Sequence, residues 1–171
     1  MKRLLMSSVV AISLGISGWY WYEQSQSSSI RIEKAEAMDE MTMSNQPISA
    51  TVFRTPTCGC CGLWIDHAES HGFVVNDRQQ EDITPIKEQY GIKPELASCH
   101  TTVAEGFVFE GHIPAAEVKR FLASPPANVI GLTVPGMPIG SPGMEMANKT
   151  QPYDVLALHH DGSTSVFASY E

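Results

Sequence analysis

Three of the chain's four cysteines fall in one turn, Cys58-Gly59-Cys60-Cys61, where an apolar strand-like run, Ile48 to Phe53, hands over to a helix-like run starting near Leu63. The fourth, Cys99, stands in Ser98-Cys99-His100-Thr101. A strand–turn–helix junction of this kind restricts the fold to an α/β arrangement, with the sulfurs at a strand end and a helix N-terminus. Unpaired backbone N–H groups and the helix dipole favour negative charge there, so cysteines in such a turn yield thiolates near neutral pH. Thiolate is both the attacking species of disulfide exchange and a ligand for soft metals. The turn points to thiol redox chemistry, to a soft metal, or to both. A purely structural disulfide is the weaker reading: so short a loop constrains the unfolded chain little, and its spacing suits disulfide geometry poorly.

The elements around the turn follow a regular order. Ile48 to Phe53 is rich in β-branched and aromatic residues and is expected as the first strand. Leu63, Trp64, Ile65 and Ala68 mark an apolar helical face that Gly72 ends, with His71 in the last turn. Phe73-Val74-Val75 is a short second strand. Thr84-Pro85 opens a second helix, Ile86 to Tyr90, with Gly91 after its end. Thr101 to Ala104 and Phe107 to Glu110 are two strands around a tight Glu105-Gly106 turn. Ile113-Pro114 starts a third helix, in which Ala115, Val118, Phe121 and Leu122 share a face. The order β-α-β-α-β-β-α predicts a right-handed βαβ unit and then an antiparallel hairpin.

With a Cys-x-x-Cys at the end of its first strand, this order resembles the thioredoxin and glutaredoxin fold. Proteins of that fold carry a cis-proline followed by threonine before a hairpin strand, in a loop that lies against the cysteine turn. His100 occupies the matching position here, directly after Cys99. The resemblance implies a thioredoxin-like domain over 47–124 with Cys99 and His100 beside the turn, and the missing proline argues against ordinary disulfide exchange. Residues 125–171 are expected as a Met/Gly/Pro-rich loop and a β-hairpin, Tyr153–Leu158 with Thr164–Ser169, packed as an extension on the same domain.

Met1-Lys2-Arg3 supplies positive charge, and the nineteen residues Leu4 to Tyr22 carry none, ending in Trp19-Tyr20-Trp21-Tyr22. Such a run just spans a hydrocarbon core, and its aromatic end suits a membrane interface. A cleaved signal peptide shares the basic and apolar parts, but the A-x-A pattern Ala35-Glu36-Ala37 lies far from the apolar run. Residues 1–23 are thus a membrane anchor or a signal peptide. Both place the rest in the periplasm, with Lys2 and Arg3 left on the cytoplasmic side. Residues 24–46, serine-rich and charged without a period, are expected as a flexible linker. About 125 residues remain from Pro47, enough for one domain with a core. A formal charge of −8 without a basic stripe argues against a nucleic-acid partner.

Four thiols suit tetrahedral zinc, yet adjacent sulfurs in a C-x-C-C cluster spread poorly around one closed tetrahedron. Bridging several Cu(I) ions is easier for crowded sulfurs, and thiolates together with thioethers select Cu(I). Met137, Met144 and Met146 lie in a segment from Pro135 to Met146 too rich in Gly and Pro for a regular helix or central strand. A single methionine is ordinarily core filler, but three in an irregular loop point to a sulfur-lined site. Met38, Met41 and Met43 offer further thioethers for copper, but the composition favours an idle, solvated linker. His100 is the favoured imidazole because it adjoins Cys99. His112 is divided between the site and a surface or capping role. His67 and His71 are expected on a solvated face or against the helix C-terminal dipole, and His159-His160 in a loop.

Taken together, Thr57-Cys58-Gly59-Cys60-Cys61-Gly62, Ser98-Cys99-His100-Thr101, Glu110-Gly111-His112-Ile113-Pro114, the Gly136–Glu145 loop and Tyr153-Asp154-Val155-Leu156-Ala157 resemble the CopG family of exported copper-resistance proteins, which is unrelated to the plasmid repressor of that name. The resemblance covers most of Ile48 to Tyr170. It implies a thioredoxin-like domain with a C-terminal extension that binds several copper ions through its cysteines and cycles them between Cu(I) and Cu(II). Cys58, Cys60, Cys61 and Cys99 are then the cluster ligands. The accompanying hypothesis is that His100 and one or more of Met137, Met144 and Met146 complete the coordination. The expected partners are copper ions and periplasmic redox or copper-handling proteins, and the expected state is a monomer. Three readings stay open: a copper oxidoreductase, a buffering or storage module without turnover, and a thiol–disulfide oxidoreductase using Cys58 and Cys61. The methionine loop favours the first two.

Overall fold

A computed structural model describes residues 47–171. The anchor or signal segment, the linker and Met38, Met41 and Met43 lie outside the described residues. Within them, no helix is long and apolar enough to cross a membrane.

Ile48–Arg54 forms strand β1, which buries Ala50 and Val52 on one face. Helix α1, Gly59–Ser70, follows the cysteine turn and turns Trp64, Ile65 and Ala68 inward, as the apolar spacing predicts. It ends at Gly72, whose φ of +83° is the left-handed conformation that glycine adopts at least cost. Strand β2, Phe73–Gln79, runs parallel to β1 along its whole length. It is longer than Phe73-Val74-Val75 because the polar residues Asn76 to Gln79 lie exposed on the sheet edge, where no apolar signal marks them. Helix α2, Thr84–Gln89, and a single 3-10 turn, Pro94–Leu96, lead into β3, His100–Ala104. The Glu105-Gly106 turn, with φ of 50° and 82°, returns the chain as β4, Phe107–Glu110, in the two-residue hairpin geometry expected.

Helix α3, Ala115–Ala123, buries Ala115, Val118 and Phe121. Beyond it comes a strand that the sequence does not announce. β5, Val129–Thr133, pairs parallel with β4, and β6, Tyr153–His159, then pairs antiparallel with β5 and with β7, Thr164–Tyr170. The predicted C-terminal hairpin is therefore part of one mixed seven-stranded sheet in the order β2-β1-β3-β4-β5-β6-β7. His159 closes β6 rather than sitting in the loop, which begins at His160.

Successive residues of a strand face opposite sides, and each side of the sheet has its own core. α1 and α3 pack over the larger one, with Val52, Phe109, Leu132 and Val155 beneath them. The smaller one joins Ile92, Val108 and Leu158, with Tyr90 and Leu96 packed against it. Phe121 is the hub of the larger core, with Phe107, Phe109 and Phe167 edge-on at 5.0, 5.6 and 6.0 Å. β7 is tied to α3 by the Arg120 guanidinium 3.9 Å above the Phe167 ring and by Tyr170 Oη donating to Glu117. Phe121→Ala is expected to cost about 3–5 kcal/mol, the range for emptying a buried aromatic site. Urea denaturation followed by fluorescence measures it, and a loss below about 1 kcal/mol would contradict this packing.

Candidate metal centre

β1 ends at Arg54, and the chain turns at once, Cys58 N–H donating to Thr55 O at 3.1 Å. Arg54 braces the turn: it binds both Asp77 carboxylate oxygens, at 2.9 and 2.7 Å, and points Nη1 at the carbonyls of Thr55 and Cys58. Cys58 is the N-cap of α1 in extended conformation, so Cys60 and Cys61 lie on the first helical turn. β3 pairs antiparallel with β1 and sets His100 opposite Arg54. Cys99, one residue earlier, therefore arrives beside the turn.

The four sulfurs all lie within 4.8 Å of one another. Cys60 Sγ is 3.5 Å from Cys58 Sγ and 3.7 Å from Cys99 Sγ, and Cys61 Sγ is 3.3 Å from Cys99 Sγ. From the sequence all four are expected as thiolates. The structure instead joins Cys58 and Cys61 in a disulfide and leaves Cys60 and Cys99 free. An N-cap and the third helical residue place their Cα atoms 5.4 Å apart, inside the range a disulfide needs, so the spacing is no obstacle.

Two imidazoles complete the group. His100 is fully buried against Trp64, its Nδ1 3.5 Å from Cys99 Sγ, and its Nε2 has no hydrogen-bond partner. No cis peptide bond occurs among the described residues. His112 is equally buried and points Nε2 at Cys99 Sγ from 3.0 Å. Its Nδ1 lies 2.8 Å from Pro142 O, and because a carbonyl only accepts, Nδ1 carries the proton and Nε2 presents its lone pair to the sulfur. Burial holds both imidazoles below their ordinary pKa, His100 well below; a proton on His112 would depress His100 further, as the charges of Lys87 and Arg54 do. They are neutral, the form in which imidazole ligates metals. Burial, then the neighbouring Cys60, pushes the Cys99 thiol up to about 12. The low pKa expected of a helix N-terminus does not extend to Cys99, which stands before a strand. A bound metal would supply the charge that draws off its proton.

The sequence undervalues His112, yet its position is implicit in the hairpin. Counting outward from the Glu105-Gly106 turn, Thr101 opposes Glu110, and the next side-chain pair on the facing strands is Cys99 with His112. Gly111 lies between, with φ +81°, and a Cβ there would come within 2.5 Å of the Ser98 side chain and 2.7 Å of Val134 O.

The methionine loop meets the turn through its backbone. Gly143, also at φ +81°, approaches α1 so closely that a Cβ would lie 2.8 Å from Cys60 O and from Trp64 N. Met144, next along, is half-buried, whereas Met137 and Met146 are 50% and 52% exposed. The loop is thus held at the cysteines while two of its three thioethers face outward. Elsewhere, His67 is not on a solvated face: it is half-buried, and its Nε2 accepts the Ala115 N–H at the start of α3. His71 is exposed, its ring packed on that of His67.

The family described as "Protein of unknown function, DUF411" matches residues 96–144, the stretch that holds Cys99, both buried histidines and the methionine loop as far as Met144. Two solved structures are similar. One is "Copper resistance protein copG- Form 2", at 41% identity and a TM-score of 0.70, covering 73% of this chain and 99% of that one. The other is "Copper resistance protein copG- Form 1", at 42% identity and a TM-score of 0.69, covering 72% and 98%. No curated protein matches.

Denatured without reductant, protein isolated under oxidising conditions is expected to titrate two thiols, Cys60 and Cys99, and four after reduction. Four before reduction would remove the Cys58–Cys61 disulfide.

Proposed function

This chain belongs to the CopG family of copper resistance proteins, and on that premise we propose that it is an exported, periplasmic copper-binding protein of copper resistance. Copper is its cargo and substrate: several Cu(I) ions are held on the cysteine thiolates and cycled between Cu(I) and Cu(II). The observation that carries this reading is the convergence of four sulfurs within 4.8 Å. Crowded thiolates favour Cu(I). The neutral imidazoles of His100 and His112, which suit Cu(II) better than thioethers do, stand directly against Cys99. The strand order β2-β1-β3-β4, with the cysteines between β1 and α1, supports the thioredoxin-like assignment. Residues 1–23 and the linker 24–46 would deliver this domain to the periplasm, as a monomer, where redox or copper-handling proteins are its partners.

The protein groups divide the work. The sulfurs of Cys58, Cys60, Cys61 and Cys99 bind. Pro142 O orients His112 by accepting from Nδ1, an outer contact of the kind that sets ligand basicity. Met144, and by movement of the loop Met137 and Met146, offer thioethers at the rim. The Cys58–Cys61 disulfide must take up two electrons and two protons before all four sulfurs can serve. That same disulfide favours a second reading, a thiol–disulfide oxidoreductase using Cys58 and Cys61.

Anaerobic Cu(I) loading of fully reduced protein, with elemental analysis, is expected to give more than one copper per chain. The disulfide form should bind fewer ions, and Cys60→Ser/Cys61→Ser at most one. Unchanged stoichiometry in the double variant would sink the cluster. Subsequent oxidation separates turnover from storage: reversible Cu(I)/Cu(II) spectra with metal retained support redox cycling, and copper that stays Cu(I) until released supports buffering. Vigorous metal-free insulin reduction would transfer the assignment to thiol exchange.

A further inference from the structure

On the side of the sheet away from His100, a buried ion pair lies directly behind Cys99. Glu110 is fully buried, and three donors converge on its carboxylate: Ser98 N–H at 2.6 Å and Lys87 Nζ on one oxygen, Thr101 Oγ1 at 2.6 Å on the other. Lys87 reaches in from α2 with its side chain 14% exposed, and Nζ also donates to Thr101 Oγ1 at 3.1 Å. Burying a carboxylate and an ammonium is costly, and an apolar pair of similar volume is often as stable or more so. Stability alone does not account for placing this pair here. What the carboxylate touches does: Ser98 N–H, the backbone donor immediately before Cys99, gives its hydrogen bond to Glu110.

We propose that Glu110, charge-balanced by Lys87, is a positioning residue of the copper site, holding the Ser98 backbone so that Cys99 Sγ meets Cys60, Cys61 and His112. The inference rests on the copper-binding reading above. The end of β4 and the chain leaving it thus serve Cys99 twice: Glu110 grips the backbone before it, and two residues later His112 meets its sulfur. The Ser98 hydroxyl passes the constraint to the methionine loop by donating to Gly136 O. The residues at stake touch no copper, and outer contacts of this kind are worth about 10–100-fold in metal affinity.

The test compares two uncharged pairs in the full chain, Lys87→Met/Glu110→Gln and Lys87→Met/Glu110→Leu. Both remove the ion pair, but only glutamine keeps an oxygen for Ser98 N–H. Cu(I) affinity is measured against a competing chelator, and the alkylation rate of Cys99 relative to Cys60 is measured in reduced, metal-free protein by mass spectrometry. The glutamine variant is expected to bind Cu(I) nearly as wild type, and the leucine variant about 10–100-fold more weakly with its Cys99:Cys60 alkylation ratio changed. Equal affinities and ratios in the two variants, at equal thermal midpoints, would overturn the proposal. If the leucine variant does not fold, amide hydrogen exchange at Ser98 decides: protection retained in the glutamine variant supports the role, and loss of protection there overturns it. A wild-type chain that takes up no more than one copper would defeat the copper reading itself, while the alkylation ratio would still report whether Glu110 positions Cys99.

Discussion

Because β3 pairs antiparallel with β1 on one side and with β4 on the other, its first residues meet the end of β1 and the chain leaving β4 at the same point. The first pairing brings Cys99 to the turn that holds Cys58, Cys60 and Cys61. The second brings His112 to Cys99. Neither contact is local in sequence, and both depend on register. A slip of one residue in the β3–β4 hairpin would carry its side chains to the opposite faces, setting Glu110 and His100 on the wrong sides of the sheet. The register is held by the Glu105-Gly106 turn, where both residues take positive φ. A two-residue turn at the far end of the strands thus helps bring His112 to Cys99.

Much of this was legible. The strand–turn–helix junction, the Gly72 stop, the hairpin and the apolar face of α3 all follow from local chemistry, and the structure has each of them. What escaped depends on pairing. β5 is a five-residue strand that follows Pro125-Pro126 and precedes a Gly/Pro-rich loop, so it shows neither length nor alternation on which to recognise it. The polar half of β2 is a strand because β1 extends alongside it. His112 lies in a motif whose neighbours suggest a helix start, and only continuing the hairpin register past Glu110 shows it facing Cys99. The role of His67 at the start of α3 depends on how two helices sit on one sheet face, which no spacing within α1 encodes.

Loop length, an argument about the unfolded chain, and the short spacing weigh against a purely structural Cys58–Cys61 disulfide, though not against a redox pair. The folded chain makes the bond, since the extended N-cap and the first helical turn already place the two residues within reach. The turn therefore has two covalent forms with different donor sets. With the bond made, Cys60 and Cys99 are the free thiols, Cys99 standing beside two imidazoles; with it reduced, four thiols are available. Two electrons separate the forms, and the sulfurs involved are those that would hold the metal. On the proposed copper reading, metal capacity and thiol oxidation state would be properties of one site, and the copper and disulfide readings of the sequence would be linked equilibria.

The hydrogen bonding around the site shows which groups the protein satisfies itself. Glu110, fully buried, has three donors. His112 Nδ1 has a carbonyl, and the Ser98 hydroxyl has another. Among the described residues only two buried side-chain polar atoms lack a partner, His100 Nε2 and Thr102 Oγ1, and their two-residue spacing puts both on one face of β3. Leaving a buried polar group unmatched costs about 1–3 kcal/mol, a large share of a domain's net stability. On the proposed reading, the bare nitrogen belongs to an imidazole whose other nitrogen already faces Cys99 Sγ, in a group that a bound ion would complete. Sulfur and neutral imidazole together restrict that ion to a soft or borderline cation.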